Sequence, residues 1–492
     1  MGKPRATPWE RGDPIREALK GRDSGPENSY AAPSGLAPGC SPSLPRALPW
    51  AIPCQPFGLH NSRTRSPHLT RRGFLAGAAA AFAAPYFAPA SVLGQEGTPP
   101  PSDRITMGCI GIGGQGGNDT NIFLACPDVQ ILAVCDVDAA HRDRARKSVD
   151  DRSGARSRGC SAHNDFREIL QRSDIDAVMI ATPDHWHTVI SILAAQAGKH
   201  IYCEKPISLT VAEGRAVADT MRRLRVVYQS GTQRRSVGHF RFACELVRNC
   251  RIGKLLRIIE YLGAGPSCPP QPEQPVPKGF DYDMWLGPAP WAPYTPARCH
   301  GSFRWLLDYS GGKITDQGAH FIDIAQWAND TEHTGPLEYE GRGTFPRDGL
   351  YNTPITYHVT ATYANGVKLE ITDPLIDNDW AIRFEGTDGW LLVTRNHLTA
   401  QRPSLLELLG RHETPLPRSD HHQRDFLNAL RTRRPPIAPP ETAHRSTTIC
   451  HLAVLCLRLG RKLTWDPVRE QCVGDNEANR LLSRAHREPW AV

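Results

Sequence analysis

Met107-Gly108-Cys109-Ile110-Gly111-Ile112-Gly113-Gly114-Gln115-Gly116, continued by the apolar run Val129–Cys135 that ends on Asp136, decides the fold. The order is strand, glycine turn, helix, strand, acid. A lone GxGxxG is common by chance, but in this frame the glycines have separate physical tasks. Gly111 permits the tight turn, Gly113 lets the backbone approach a pyrophosphate, and Gly116 lets the helix lie close on the strand. Unpaired N–H groups at the helix start, from Gly114 and Gln115 onward, then face the phosphates. Asp136 lies 20 residues beyond Gly116, where its carboxylate accepts from both hydroxyls of an adenosine ribose. It would repel a 2′-phosphate, so the cofactor expected is NAD(H) rather than NADP(H).

Outward from that stretch, strands alternate with helices. Asp176–Ala181 opens onto Thr182-Pro183-Asp184-His185-Trp186-His187, and a helical pattern runs over 188–197 to Gly198. His200–Cys203 reads as a fourth strand and opens onto Glu204-Lys205-Pro206; a helix through Arg225 and a strand at Val226–Gln229 follow. This spacing predicts a parallel, doubly wound sheet whose ligands sit beyond the strands' carboxyl ends. From about Gln233 the pattern changes. Tyr357–Thr372 turns at Asn365-Gly366, Trp380–Thr394 turns at Asp388-Gly389, and Leu255–Leu262 alternates like another strand. The expected architecture is α/β: a Rossmann dinucleotide-binding domain over 104–232, then an α+β domain over 233–492 with a mainly antiparallel sheet. His421–Leu430 and Thr442–Leu463 read as helices separated by two proline pairs.

The net charge of +7 is local: of 58 basic and 51 acidic residues, 11 and 5 fall within residues 1–72, leaving 47 against 46 in the body. A nucleic-acid surface has no compositional support. The 14 cysteines are scattered without a CxxC pair, so buried thiols are the default, with a few disulfides open if the protein works outside the cytoplasm. Residues 1–62, rich in Pro, Gly, Ser and Arg, are expected to be disordered. Arg71-Arg72-Gly73-Phe74-Leu75, the short apolar run to Phe87 and Ala88-Pro89-Ala90 predict a Tat export signal over 63–90. The apolar run is too short for stable membrane insertion. Cleavage after Ala90 leaves Ser91 and a linker to about residue 103, and the protein would act in the periplasm. A translation start assigned too far upstream would account for the residues before the leader.

Three groups are candidates for the chemistry, each with a plainer alternative: a structural Lys-Pro at a strand end, and an i, i+4 surface pair. Lys205 ends a strand, where its ammonium can donate to a substrate hydroxyl. Asp316 and His320 in Asp316-Gln317-Gly318-Ala319-His320-Phe321-Ile322-Asp323 are four apart and share a helix face, which suits a carboxylate raising an imidazole's basicity. Asp323 continues that face, as substrate contact or as surface charge. His185-x-His187 lacks a third ligand in sequence, so no metal is expected, and the two rings are expected to line the cleft while Trp186 packs. Gln233-Arg234-Arg235 either meets a polar substrate or forms a solvated charge cluster. Trp285, Trp291, Tyr294 and Trp305 either stack on a sugar ring or pack a core.

The glycine turn, Thr182–His187, Glu204-Lys205-Pro206 and Asp316-x-Gly318-x-His320-x-x-Asp323 together resemble the Gfo/Idh/MocA oxidoreductases, which include inositol dehydrogenase and glucose–fructose oxidoreductase. The resemblance covers Ile105 to the C-terminus. The tail Leu459–Pro467 with Glu477–Leu482 is similar to the exported, planctomycete-type branch. It implies Lys205, Asp316 and His320 as a catalytic trio: His320 takes the hydroxyl proton, Lys205 holds the same oxygen, and Asp316 tunes both. Glu204 and Pro183 would border the nicotinamide ribose, with Thr182 and His187 beside them. Gln317 and Phe321 stand where related sequences often carry Trp and a second His. The family often forms homodimers or homotetramers through its sheet.

The expected function is therefore hydride transfer between nicotinamide and a secondary alcohol of a sugar, polyol or glycoside. Export favours a tightly bound cofactor, since free NAD(H) is scarce outside the cytoplasm. The rivals are a redox-neutral NAD-dependent glycosidase and a non-catalytic NAD-binding protein. Relatives of the glycosidase kind tend to lack the lysine that this chain keeps as Lys205.

Overall fold

The computed structural model describes residues 100–153 and 159–491. The extension, the twin-arginine leader and most of the linker lie outside the described residues.

The first sheet has six parallel strands: β1 (Ile105–Ile110), β2 (Val129–Cys135), β3 (Ser161–His163), β4 (Ala177–Ile180), β5 (His200–Cys203) and β6 (Tyr228–Ser230). Their order is β3-β2-β1-β4-β5-β6, so the winding reverses between β1 and β4. β4 is buried at every residue because helices cover both faces. The connecting helices are α1 (Gly114–Leu124), α2 (Ala139–Ser153), α3 (Phe166–Leu170), α4 (Asp184–Gln196) and α5 (Val211–Leu224). α5 begins with a Thr210/Glu213 capping box and ends where Arg225 turns left-handed at φ 54°. Glu204-Lys205-Pro206 closes the fifth strand in chain order, not the fourth. β3, at three residues, is too short to show alternation in sequence.

The second region contributes α6 (Gly238–Arg248), β7 (Leu255–Tyr261), α7 (Tyr282–Leu286), α8 (Lys313–Ala328), β8 (Glu338–Thr344), β9 (Thr356–Thr362), β10 (Lys368–Thr372), β11 (Ala381–Gly386), β12 (Trp390–Thr394) and β13 (Leu398–Ala400). It closes with α9 (His422–Thr432), α10 (Pro440–Leu459), β14 (Leu463–Asp466), β15 (Gln471–Cys472) and the short α11 (Asn476–Arg480). Nine strands form the order β13-β12-β11-β7-β10-β9-β8-β14-β15. All neighbours are antiparallel except β7 with β10. Both hairpins stand where the Asn-Gly and Asp-Gly turns place them. The last long helix stops at Leu459, short of Leu463, because Gly460 takes a left-handed conformation at φ 62° and the chain re-enters the sheet. Along β9, Tyr357, Val359 and Ala361 face inward, and α8 packs between α10 and α6.

α9 does not stay with the second sheet. Phe426, Leu427 and Leu430 enter the core of the first domain with Phe123 and Tyr202, and Arg424 pairs with Asp128 at 2.6 and 2.7 Å. The twelve described cysteines are all free thiols. No helix among the described residues is long and apolar enough to cross a membrane.

The junction holds a buried ion pair. Arg235 and Asp323, 2% and 0% exposed, join at 2.5 and 2.9 Å, with Glu332 on the other guanidinium nitrogen at 2.7 Å. Removing one partner leaves a desolvated charge, so Asp323→Ala should destabilise the fold by about 3–5 kcal/mol. Urea unfolding measures this, and a loss below about 1 kcal/mol would deny the pair a structural role.

Candidate active site

At the carboxyl ends of β1 and β4 a cleft of about 550 Å³ opens between the glycine turn and the second region. Gly111 sits at φ 76°, and a Cβ there would stand 2.6 Å from the Thr182 amide nitrogen. A Cβ on Gly116 would lie 1.8 Å from the Gly111 carbonyl oxygen. The strand and helix therefore meet at backbone contact. α1 has Gly113 as its N-cap and no side-chain cap, which leaves the helix start open to an anion. The Asp136 carboxylate is fixed by the amides of Ile112 and Asp138, each at 2.9 Å. His141 Nδ1 stands 3.6 Å from the same Oδ2 that Ile112 bonds, and Oδ1 keeps acceptor capacity for a ribose hydroxyl. Thr182 Oγ1 is buried in the cleft wall with no partner. An uncapped helix start, a fixed acid and an orphaned hydroxyl fit a dinucleotide. Gly116→Ala should force α1 off β1, with a cost of about 1–3 kcal/mol and loss of nucleotide; a thermal melt with a nucleotide count reads both, and full retention would contradict it.

Beyond β5, Lys205 Nζ donates to Asp316 Oδ1 at 2.6 Å and to the Asp316 carbonyl oxygen at 3.0 Å. Arg304 Nε lies 3.1 Å from the same Oδ1. Although burial opposes it, these two cations hold the Asp316 carboxyl well below the usual carboxylate range. His320 lines the cleft, and its Nδ1 is buried without a partner. Burial, then the Lys205 and Arg234 charges, push its pKa well below the ordinary value. The i, i+4 spacing of Asp316 and His320 thus gives no hydrogen bond between them. The aspartate turns to the two cations, because they offer it more than a neutral ring does.

Glu204 lines the cleft floor, where Gln233 Nε2 donates to its Oε1 at 2.5 Å and to Tyr202 OH at 3.1 Å. Burial and then Asp119 drive the Glu204 pKa well up. Asp184, at the start of α4, accepts from Ser310 Oγ at 2.5 Å, and burial raises its pKa to about 7. Pro183 caps α4 and lines the cleft, as does His187. Both His187 ring nitrogens face carbonyl oxygens, Pro206 at 2.6 Å and Thr182 at 2.8 Å. Burial lowers the ring's pKa to about 4, while the two carbonyl contacts oppose that shift because each favours a ring N–H.

Two expectations are corrected. His185 does not line the cleft; its Nε2 meets the Trp285 carbonyl at 3.0 Å and its ring packs on Trp285 and Tyr309, because that side of α4 docks on the second region. Asp323 is neither substrate contact nor surface charge, since Arg235 and Ser446 enclose it. Trp285 and Tyr294 join the core cluster around Phe280 and Tyr282, while Trp291 is exposed. Arg304 and Asp184 were not singled out in sequence. Arg304 lies in the 3-10 helix His300–Trp305, too short to show periodicity, and Asp184 gave a signal only as an acid opening a helix at a strand end.

The chain matches sequence models of one oxidoreductase family in two places: its NAD-binding Rossmann fold over residues 105–232, and its C-terminal alpha/beta domain over residues 269–492. It belongs to the Gfo/Idh/MocA family. Within this family it is similar to a glycosyl hydrolase family 109 protein of Saccharopolyspora erythraea, 38% identical over 124 residues, which are 25% of this chain and 27% of that one. A protein of the same description from Shewanella baltica is 34% identical over 125 residues, again 25% and 27% of the two chains. The match spans about a quarter of these relatives. Among solved structures, the WlbA dehydrogenase of Bordetella pertussis, in complex with NADH and UDP-GlcNAcA, superposes with a TM-score of 0.55 at 15% identity, covering 74% of this chain and 99% of that one. The aldose-aldose oxidoreductase of Caulobacter crescentus gives 0.55 at 17%, covering 73% and 99%. These likenesses show the Gfo/Idh/MocA fold.

Proposed function

We propose that this protein is an NAD(H)-dependent oxidoreductase that moves hydride between nicotinamide and a secondary alcohol of a sugar, polyol or glycoside. The observation that carries the reading is the Lys205–Asp316 ion pair set beside an unpartnered His320 in one cleft with the glycine turn. Gly111, Gly113, Gly114, Gln115 and Gly116 would hold the pyrophosphate, Asp136 the adenosine ribose, and Thr182, Pro183, His187 and Glu204 the nicotinamide side. When bound, the nicotinamide supplies the acceptor or donor of hydride at the carbon that bears the hydroxyl.

The chain's own groups handle the proton. Lys205 spends two of its three N–H donors on Asp316, and the third is available for the substrate oxygen. Donation there lowers the hydroxyl's proton affinity. The neutral His320 ring takes the proton as the oxygen becomes a carbonyl. Asp316 and Arg304 keep Lys205 in position.

Export through the Tat leader to the periplasm is part of the proposal, and it requires the nucleotide to travel inside the folded protein. Protein expressed from Ser91 to the C-terminus, freed of small molecules and denatured, should release near-stoichiometric NAD(H). An empty protein with weak NAD affinity would remove the resident cofactor and, with it, the periplasmic assignment. A homodimer or homotetramer through the second sheet is the assembly expected, and light scattering decides it.

The glycosidase alternative draws support from the family 109 relatives. In that case a glycoside would be cleaved with no net change in bound NAD(H), whereas a dehydrogenase would leave the cofactor reduced until a second substrate reoxidised it.

A further inference from the structure

Arg234 stands in the 3-10 turn Gln233–Ser236, between a residue that lines the cleft and one that anchors the domain junction. Its guanidinium lies 5.0 Å from the centre of the Phe240 ring and 5.4 Å from that of Phe321, the residue after His320. Both rings are fully buried, and Arg234 itself is half-buried. The next residue, Arg235, has two carboxylates. Arg234 has none within ion-pair distance among the described residues. The acid whose charge reaches it, Asp379, lies 3.6 Å from Arg395 instead. Burial and Arg395 accordingly lower the Arg234 pKa, and its charge in turn acts on His320.

The surrounding charges do not compensate it. Lys205 and Arg304 share one carboxylate, Asp316. Asp184 is turned to Ser310, and Glu204 to Gln233. Stacking on aromatic faces stabilises a guanidinium but leaves its in-plane N–H edge without acceptors. None of its nitrogens is a buried orphan, so the edge is open to an incoming anion whose charge would complement it. The complement of a planar fork is an oxyanion bound through two parallel N–H···O contacts.

We propose that Arg234 binds an anionic substituent of the substrate, so that the sugar carries a carboxylate or a sulfate ester beside the hydroxyl that reacts. The inference rests on the oxidoreductase reading for the reaction and deepens it by naming the substrate class. One guanidinium suits a monoanion, which both groups are.

The test uses NAD-loaded protein and methyl hexopyranosides of gluco, galacto and manno configuration. Each is offered as the neutral sugar, the uronate and the 6-sulfate, with binding followed by calorimetry and turnover by product analysis. In at least one configuration an acidic member should bind about 10- to 100-fold more tightly than its neutral partner, the range of a charge-assisted pair. Arg234→Met should erase that preference, and Arg234→Lys should keep part of it. Uronate over sulfate, or the reverse, identifies the group. Equal or tighter binding of the neutral sugar in every configuration overturns the proposal, as does an acidic preference that survives in a folded Arg234→Met protein, or no binding by any member. Binding without turnover would retain Arg234's role and sink the dehydrogenase reading. Turnover of neutral sugars with no acidic preference would do the opposite.

Discussion

Lys205→Met should lower kcat by about 10³-fold while the protein still releases a full complement of NAD(H) on denaturation. The side chain makes its strong contacts to Asp316, not to the glycine turn, so nucleotide retention should survive its loss. What disappears is the donor to the substrate oxygen. Arg304 still neutralises Asp316, which keeps the effect from being a general collapse of the site. Lys205→Arg should not rescue the rate, because a planar fork cannot reproduce the point contact of an ammonium. Rates within about threefold of wild type for Lys205→Met would remove this group from the mechanism.

His320→Asn is expected to cost about 10²–10⁴ in kcat, again with the cofactor retained. Its pH signature separates a base from a packing residue. Burial and the neighbouring cations depress the ring's pKa well below 6.5, so the base form persists as pH falls through 6.5. The acid limb of kcat/KM for alcohol oxidation should therefore lie well below pH 6.5. Arg234→Met removes one of those cations and should move that limb to higher pH. A limb centred near 6.5, unmoved in Arg234→Met, would assign the titration to another group.

Much of this was legible in the chain. Gly111, Gly116 and Asp136 specify the turn, the close helix and the acid, because each task needs one backbone property or one charge at a fixed sequence distance. The Asn365-Gly366 and Asp388-Gly389 turns likewise fixed two hairpins through their own φ preferences. Local physics also misled. Asp316 and His320 share a helix face, yet the carboxylate pairs with a lysine 111 residues earlier and an arginine from a short 3-10 helix. Asp323 sits on the same helix as a plausible site residue and is consumed by Arg235. His185 and His187 are two apart and end in different environments, one against Trp285 and one in the cleft wall.

The sequence by itself determined the Rossmann frame, the change to an antiparallel sheet near Gln233 and the identity of Lys205, Asp316 and His320 as candidates. The frame and the change of sheet rest on periodicity and turn chemistry, which act over a few tens of residues, and the trio rests on the family resemblance of the motifs in order. Only the tertiary structure decided which charges meet. It set Arg304 on Asp316, left Arg234 on two phenylalanine rings without an acid, and sent Phe426 into the first domain's core. Ion pairing and burial depend on distances through space, and those are fixed by packing between segments that no local pattern connects.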